Sequence, residues 1–186
     1  YEAGINKFDA YRVEERVQPE RWPVFLRCEG DHRAPLSGLL NDWTEACAAI
    51  ARALDQGHPL PGLLLVEYAG EPVRPGIYRR LSGFQVGASR FAEYCVHDDN
   101  WLVKYGKLGL APTDLYAEEL RFAQTHPHAD ALAAAFALAR IDYGRADYGI
   151  VAGKVQIYEI NTNPVVKFAS EHPSPMRVET YGTVSY

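Results

Sequence analysis

The stretch "RADYGIVAGKVQIYEINTNP", Arg145 to Pro164, constrains this chain more than any other. Two runs of alternating apolar and polar residues flank a short Ala152-Gly153-Lys154 break. Successive side chains of a strand point to opposite faces, so such alternation on both sides of a glycine-bearing break specifies an antiparallel hairpin. A three-residue loop over Ala152–Lys154 sets Val151 opposite Val155, Gly149 opposite Ile157 and Asp147 opposite Glu159. Asn161 lies two beyond Glu159, and Arg145 two before Asp147, so both share that face. A slip of one residue would send every one of these side chains to the other side.

An acid, a second acid and an amide on one face of an otherwise apolar hairpin call for a chemical reason. Two carboxylates directly opposed on a sheet repel, so a positive group is expected between them. Asp, Glu and Asn offer only oxygen ligands, which suits Mg²⁺ better than Zn²⁺. Mg²⁺ in turn is usually held together with phosphates. The alternative is that both acids stand on a solvated sheet side.

The rest of the chain supplies the frame. A short strand is expected at Ala10–Val13, and the apolar run "WPVFLRCE" (Trp22–Glu29) reads as a buried strand. Gly30–Gly38 is a loop rich in glycine, proline and polar residues. Asp42 as cap, Glu45 three residues later and Gly57 at the close predict a helix over residues 42–56. Gly62–Gly70 reads as a buried strand. Ile77–Val86 and Ser89–His97 read as strands paired around Gly87. Thr113–Thr125 and Asp130–Arg140 carry helical spacing, broken by "HPH". Residues 165–186 have no clear pattern and read as an irregular tail. This order predicts an α+β fold with mostly antiparallel sheet.

Composition narrows the class. A chain of 186 residues with 47% hydrophobic and 23% charged residues suits one substantial domain or two small lobes. The net charge is −5 and the basic residues form no stripe, which argues against nucleic acid as a partner. No apolar run approaches the length that spans a bilayer. Cys28, Cys47 and Cys95 are far apart and lack CxxC spacing, so they read as buried, inert thiols in a reducing, cytoplasmic setting. The chain opens in mid-pattern without Met, which leads us to expect a portion of something longer.

The extended motif "GRADYGIVAGKVQIYEINTNP" resembles the C-terminal signature of ATP-grasp enzymes, G-R-x-D followed by E-x-N-x-x-P. The resemblance implies two lobes around a nucleotide cleft, with antiparallel sheets and flanking helices. It makes residues 1–164 a partial ATP-grasp domain, 1–70 the smaller lobe and 71–164 the larger. It implies that Asp147, Glu159 and Asn161 hold Mg²⁺, and that Arg145 touches an acyl-phosphate or tetrahedral intermediate. "WPVFLRCEGDHRAPLSG" is similar to the family's strand-plus-loop that meets the nucleotide phosphates. Arg27 stands there in place of the usual lysine, a planar fork for a point charge, and the loop carries fewer glycines than usual. "LLLVEYAG" resembles the hinge strand, which would set Glu67 and Tyr68 beside adenine and offer unpaired backbone groups to it. "DDNWLVKYG" resembles a loop of the D-alanine–D-alanine ligase branch, making Lys104 a phosphate-binding and catalytic candidate. The resemblance spans roughly Pro23 to Pro164 and lacks the family's amino-terminal substrate domain.

Three functions stay open on these grounds. The first is an ATP- and Mg²⁺-dependent ligase joining a small-molecule or peptide carboxylate to an amine or thiol through an acyl phosphate. The second is an ATP-binding module without ligase activity, or a fragment inactive alone. The third is an interaction domain whose acids are solvated.

Overall fold

A computed structural model describes residues 4–31, 33–165 and 171–183. The chain divides into two compact units, Tyr1–Ala69 and Gly70–Tyr186.

The first unit is a three-stranded antiparallel sheet with one helix. Its strands are β1 (Ala10–Arg12), β2 (Val24–Cys28) and β3 (Leu63–Glu67), in the order β1-β3-β2. Helix α1 (Trp43–Asp55) starts where the sequence places it: the Asp42 carboxylate accepts from the Glu45 amide at 2.9 Å. The Glu45 carboxylate in turn accepts from the Asn41 amide at 2.7 Å. Such a cap contributes about 1 kcal/mol. The helix buries only Ala46, Ala49 and Ala53, and these small side chains let it lie close over Val24, Leu26, Leu63 and Leu65.

The second unit is built on β5 (Ile77–Val86), the longest strand. It pairs with β4 (Pro72–Arg74), β6 (Ser89–Ala92), β7 (Val96–Asp98) and β8 (Tyr143–Val151), and β8 continues to β9 (Lys154–Asn161). Helices α2 (Thr113–Thr125) and α3 (Ala129–Ala139) cover one face. That face carries Gly83, whose position lies against the Leu132 and His126 side chains, and Tyr148, whose hydroxyl is 3.1 Å from His128 Nδ1. Among the described residues no helix is long and apolar enough to cross a membrane.

Two strands differ from the expectation in an instructive way. Residues Ser89–His97 form two strands rather than one. Gly83 pairs with Ala92 but Arg80 with Val96, so one extra residue is inserted on the outer side. The break falls at Glu93–Cys95, where the Glu93 amide donates to the Ser82 carbonyl and the Cys95 amide to the Glu119 carboxylate.

The opening hairpin has a two-residue turn, not three. Ala152 and Gly153 have φ of 49° and 72°, the geometry of a type I′ turn, and Val151 pairs with Lys154. That register alone would place Asp147 opposite Tyr158. A bulge beyond Tyr148 inserts one residue into β9 and restores Asp147 opposite Glu159 and Arg145 opposite Asn161. The expected pairing holds, by a different route. Gly149 makes room for the bulged residue, since a Cβ there would lie 2.2 Å from the Tyr158 hydroxyl.

Gly144 is tighter still in kind. A Cβ at this position would meet the backbone carbonyl oxygen of Asn161 at 2.7 Å, and a backbone atom in a paired strand cannot swing aside. Gly144→Ala is expected to cost about 1–3 kcal/mol, read as a lower denaturant midpoint, and to displace the strand that carries Asn161.

The tail also differs. Helix α4 (Pro175–Thr183) occupies the segment expected to be irregular, starting at a proline whose missing N–H is no loss in a first turn. Its apolar pattern is weak because a charged residue anchors it: Arg177 is buried and paired with Glu119 of α2.

Candidate functional site

Side-chain alternation places Arg80 and Ser82 of β5, Arg145 and Asp147 of β8, and Glu159 and Asn161 of β9 on one face of the large sheet. It is the face opposite to α2 and α3. Glu93 joins it, held opposite Ser82 by its own amide bond.

Asp147 is the centre of this face. It is 6% exposed. One carboxylate oxygen accepts from Ser82 Oγ at 2.8 Å and from Arg145 Nε at 3.0 Å. The other accepts from an Arg145 terminal nitrogen at 3.2 Å and lies 3.4 Å from Arg80. Two guanidinium groups of the chain itself thus stand beside Asp147. Arg145 also reaches outward, with its remaining terminal nitrogen 3.6 Å from Glu93 Oε2. Burial pushes the Glu93 carboxyl up to about 7, and the Asp147 charge adds to this against Arg145 and Arg80. Asn161 Oδ1 accepts from the Asn163 amide at 2.8 Å in a local turn.

Asp147, Glu159 and Asn161 bring only oxygen donors to this face, the type a hard divalent cation takes, while both Asp147 oxygens already accept from Ser82 or Arg145. Among the described residues no group of three or more His, Cys, Asp and Glu side chains has metal-binding geometry. Two carboxylates and one amide suit an ion that takes its other oxygens from a ligand or water.

The other sequence candidates lie on other elements, Arg27, Glu67 and Tyr68 in the first unit and Lys104 in the second. Arg27 in β2 alternates with the core residues Val24 and Leu26, so it points away from α1, and it donates to the Asp31 carbonyl at 2.7 Å. Lys104 lies in the loop after β7, its ammonium 5.6 Å from the centre of the Tyr105 ring. The hinge strand corrects the expectation of a free edge. β3 is the central strand, bonded to β1 on one side and β2 on the other, with the Glu67 amide donating to Asp9 and the Tyr68 amide to Pro23. Glu67 is buried and its carboxylate accepts from the Asp9 amide, the Tyr11 hydroxyl, and the Arg21 amide and Nε at 2.9–3.0 Å. This acid ties β1 and the Arg21 turn to the sheet; burial opposes its charge, but the donors prevail and hold its pKa low.

Arg80, Ser82 and Glu93 escaped the sequence reading. Arg80 and Ser82 were visible as polar residues two apart in an alternating strand. Glu93 was visible as an acid inside "RFAEYC", but only the long-range pairing of β5 shows which face it joins.

The shift at Glu93 has a measurable consequence. Its folded pKa of about 7 lies above its ordinary value of 4.5. The folded state then binds more protons between these values, so this group makes the fold less stable as pH rises through that window. Glu93→Gln, which mimics the protonated acid, is expected to gain stability relative to wild type from pH 5 to pH 8. Paired thermal melts across that range cancel the contributions of other groups. A constant difference would contradict the assignment.

Comparison with solved structures identifies the fold. The chain superposes on the D-alanine–D-alanine ligase from Coxiella burnetii with a TM-score of 0.52 and 17% identity, covering 97% of this chain and 49% of that one. It matches an L-amino acid ligase from Bacillus licheniformis with a TM-score of 0.51 and 12% identity, covering 87% and 37%. It matches the VanG D-Ala:D-Ser ligase from Enterococcus faecalis with a TM-score of 0.50 and 14% identity, covering 97% and 54%. No protein-family model and no curated protein matches the chain. These neighbours are ATP-grasp enzymes, and the chain has the fold of part of one. It spans about half the length, or less, of these solved structures.

Proposed function

We propose that this chain carries the nucleotide- and Mg²⁺-holding portion of an ATP-dependent carboxylate–amine or carboxylate–thiol ligase. The observation that carries the reading is the register of the β8–β9 hairpin. It brings Asp147, Glu159, Asn161 and Arg145 to one face although the turn and the bulge each shift it by one residue. The ligase likeness of the fold supports the same reading.

In this reading Asp147, Glu159 and Asn161 hold Mg²⁺, which when bound neutralises charge on the transferring phosphoryl group. Arg145 faces the oxyanion of an acyl phosphate or of the tetrahedral species that follows it. Arg27 and Lys104 are assigned to phosphates, and Tyr68 to the base, on the resemblance. β3 is paired on both edges, and the Glu67 carboxylate is taken by Asp9, Tyr11 and Arg21, so that side chain is assigned to structure. The reaction needs no protein nucleophile: the substrate carboxylate takes the phosphoryl group and the amine or thiol displaces it.

The test is ADP release from Mg·ATP by the natural protein with a panel of amino acids and short peptides as acceptors. Release that requires both a carboxylate and an amine or thiol supports ligation. Tight Mg·ATP binding without release under any acceptor favours a binding module.

A further inference from the structure

A carboxylate that the proposed reaction does not use lies against the Arg145 guanidinium, which it does. Glu93 is 6% exposed and stands in the break between β6 and β7. Its place is fixed by backbone: its amide donates to Ser82 at 2.9 Å, and Ser82 Oγ in turn donates to Asp147. Arg145 is thus held at two ends. Asp147 takes its Nε edge with two hydrogen bonds, and Glu93 faces its outer nitrogen at 3.6 Å. The Nε–Cζ bond has partial double-bond character, and turning about it exchanges the two terminal nitrogens, so a partner at each of them slows the exchange further; a planar fork meets an oxyanion best when its nitrogens are held in place.

We propose that Glu93 is a positioning residue for Arg145, holding the outer terminal nitrogen of the guanidinium in place before an anionic group arrives. Glu93 still follows the β6 register, opposite Ser82; the extra residue falls after it, between Glu93 and Val96. Arg80 does not substitute for it, since it pairs with Asp147 and carries the same charge as Arg145. The inference rests on the ligase reading for what Arg145 acts upon, but not for the hold on Arg145 itself.

The experiment is nitrogen-detected NMR of the arginine side chains at pH 8, with the Arg145 signals assigned by their loss in Arg145→Lys. Wild type is expected to show slow rotation about Nε–Cζ of Arg145. Glu93→Gln, which keeps the shape, is expected to speed that rotation by about tenfold, and Glu93→Asp to restore it in part. In the ADP-release assay Glu93→Gln is expected to lower kcat by about tenfold while the KM for ATP stays within about twofold. Rotation unchanged in both Glu93→Gln and Glu93→Ala overturns the proposal, whatever happens to stability. A wild-type protein that does not bind Mg·ATP removes the ligase reading, and the rotation rates still decide whether Glu93 holds Arg145.

Discussion

Replacing Arg177 with alanine is expected to destabilise the second unit by about 3–5 kcal/mol, the range for leaving one member of a buried ion pair alone. Glu119 has no exposed surface, and its carboxylate pairs with Arg177 through both Nε and a terminal nitrogen, the latter at 2.6 Å. The same terminal nitrogen donates to the Cys95 carbonyl at 2.7 Å. The rings of Tyr94, Tyr116 and Tyr181 surround the guanidinium with centres 5.1–5.9 Å away. Burial raises the Glu119 carboxyl to about 7 even with this partner, so removing the cation leaves a group that must protonate or stay charged in an apolar site. Helix α4, weakly apolar, has its main anchor in this pair. Urea unfolding of Arg177→Ala reads the loss. The double change Arg177→Met with Glu119→Leu is expected to recover most of it, because a well-packed apolar pair does not bear the desolvation of two charges. A loss below about 1 kcal/mol in the single variant would mean the pair is not the anchor.

Asp147→Ala is the second large effect. It leaves Arg145 and Arg80 on one sheet face without the carboxylate between them, and it strips Ser82 Oγ of its acceptor. Both arginines keep some exposure, so the expected loss is about 3 kcal/mol, the low end for a broken buried pair. Mg·ATP binding is expected to disappear at the same time. Asp147→Asn keeps an acceptor for Ser82 and separates the two consequences: much of the stability returns and the Mg²⁺ dependence does not. Equal behaviour of the two variants would show that charge plays no part on this face.

The features that could be read from sequence were local. The cap at Asp42, the helix after it and the alternation around Asp147 and Glu159 depend on residues a few positions apart. The turn length could not be read, because Ala152 is a poor signal for a left-handed conformation that asparagine or glycine usually marks. The wrong turn and the unseen bulge offset one another, so the Asp147–Glu159 pairing came out right from an incomplete argument. What failed was non-local. β1 has only three residues, so nothing in its sequence announced that it would close the second edge of β3. Helix α4 is held by one buried arginine rather than by an apolar stripe. Glu93 joins the site by bonding to Ser82, eleven residues upstream, at the start of an irregular break.

The central claim is that the paired acids of the β8–β9 hairpin hold Mg²⁺ for a nucleotide. Calorimetric titration of Mg·ATP into wild type, Glu159→Gln, Glu71→Gln and Asp142→Asn tests it most directly. Glu71 accepts from the Ala152 amide at 3.1 Å at the far end of the hairpin, and the carbonyl of Asp142 accepts from Gly87 at 2.7 Å, so neither side chain is assigned to the metal. The account predicts at least about a tenfold loss of Mg²⁺-dependent affinity in Glu159→Gln alone, with an unfolding midpoint at or near that of wild type. Unchanged affinity in Glu159→Gln, or equal losses in all three variants, would contradict it.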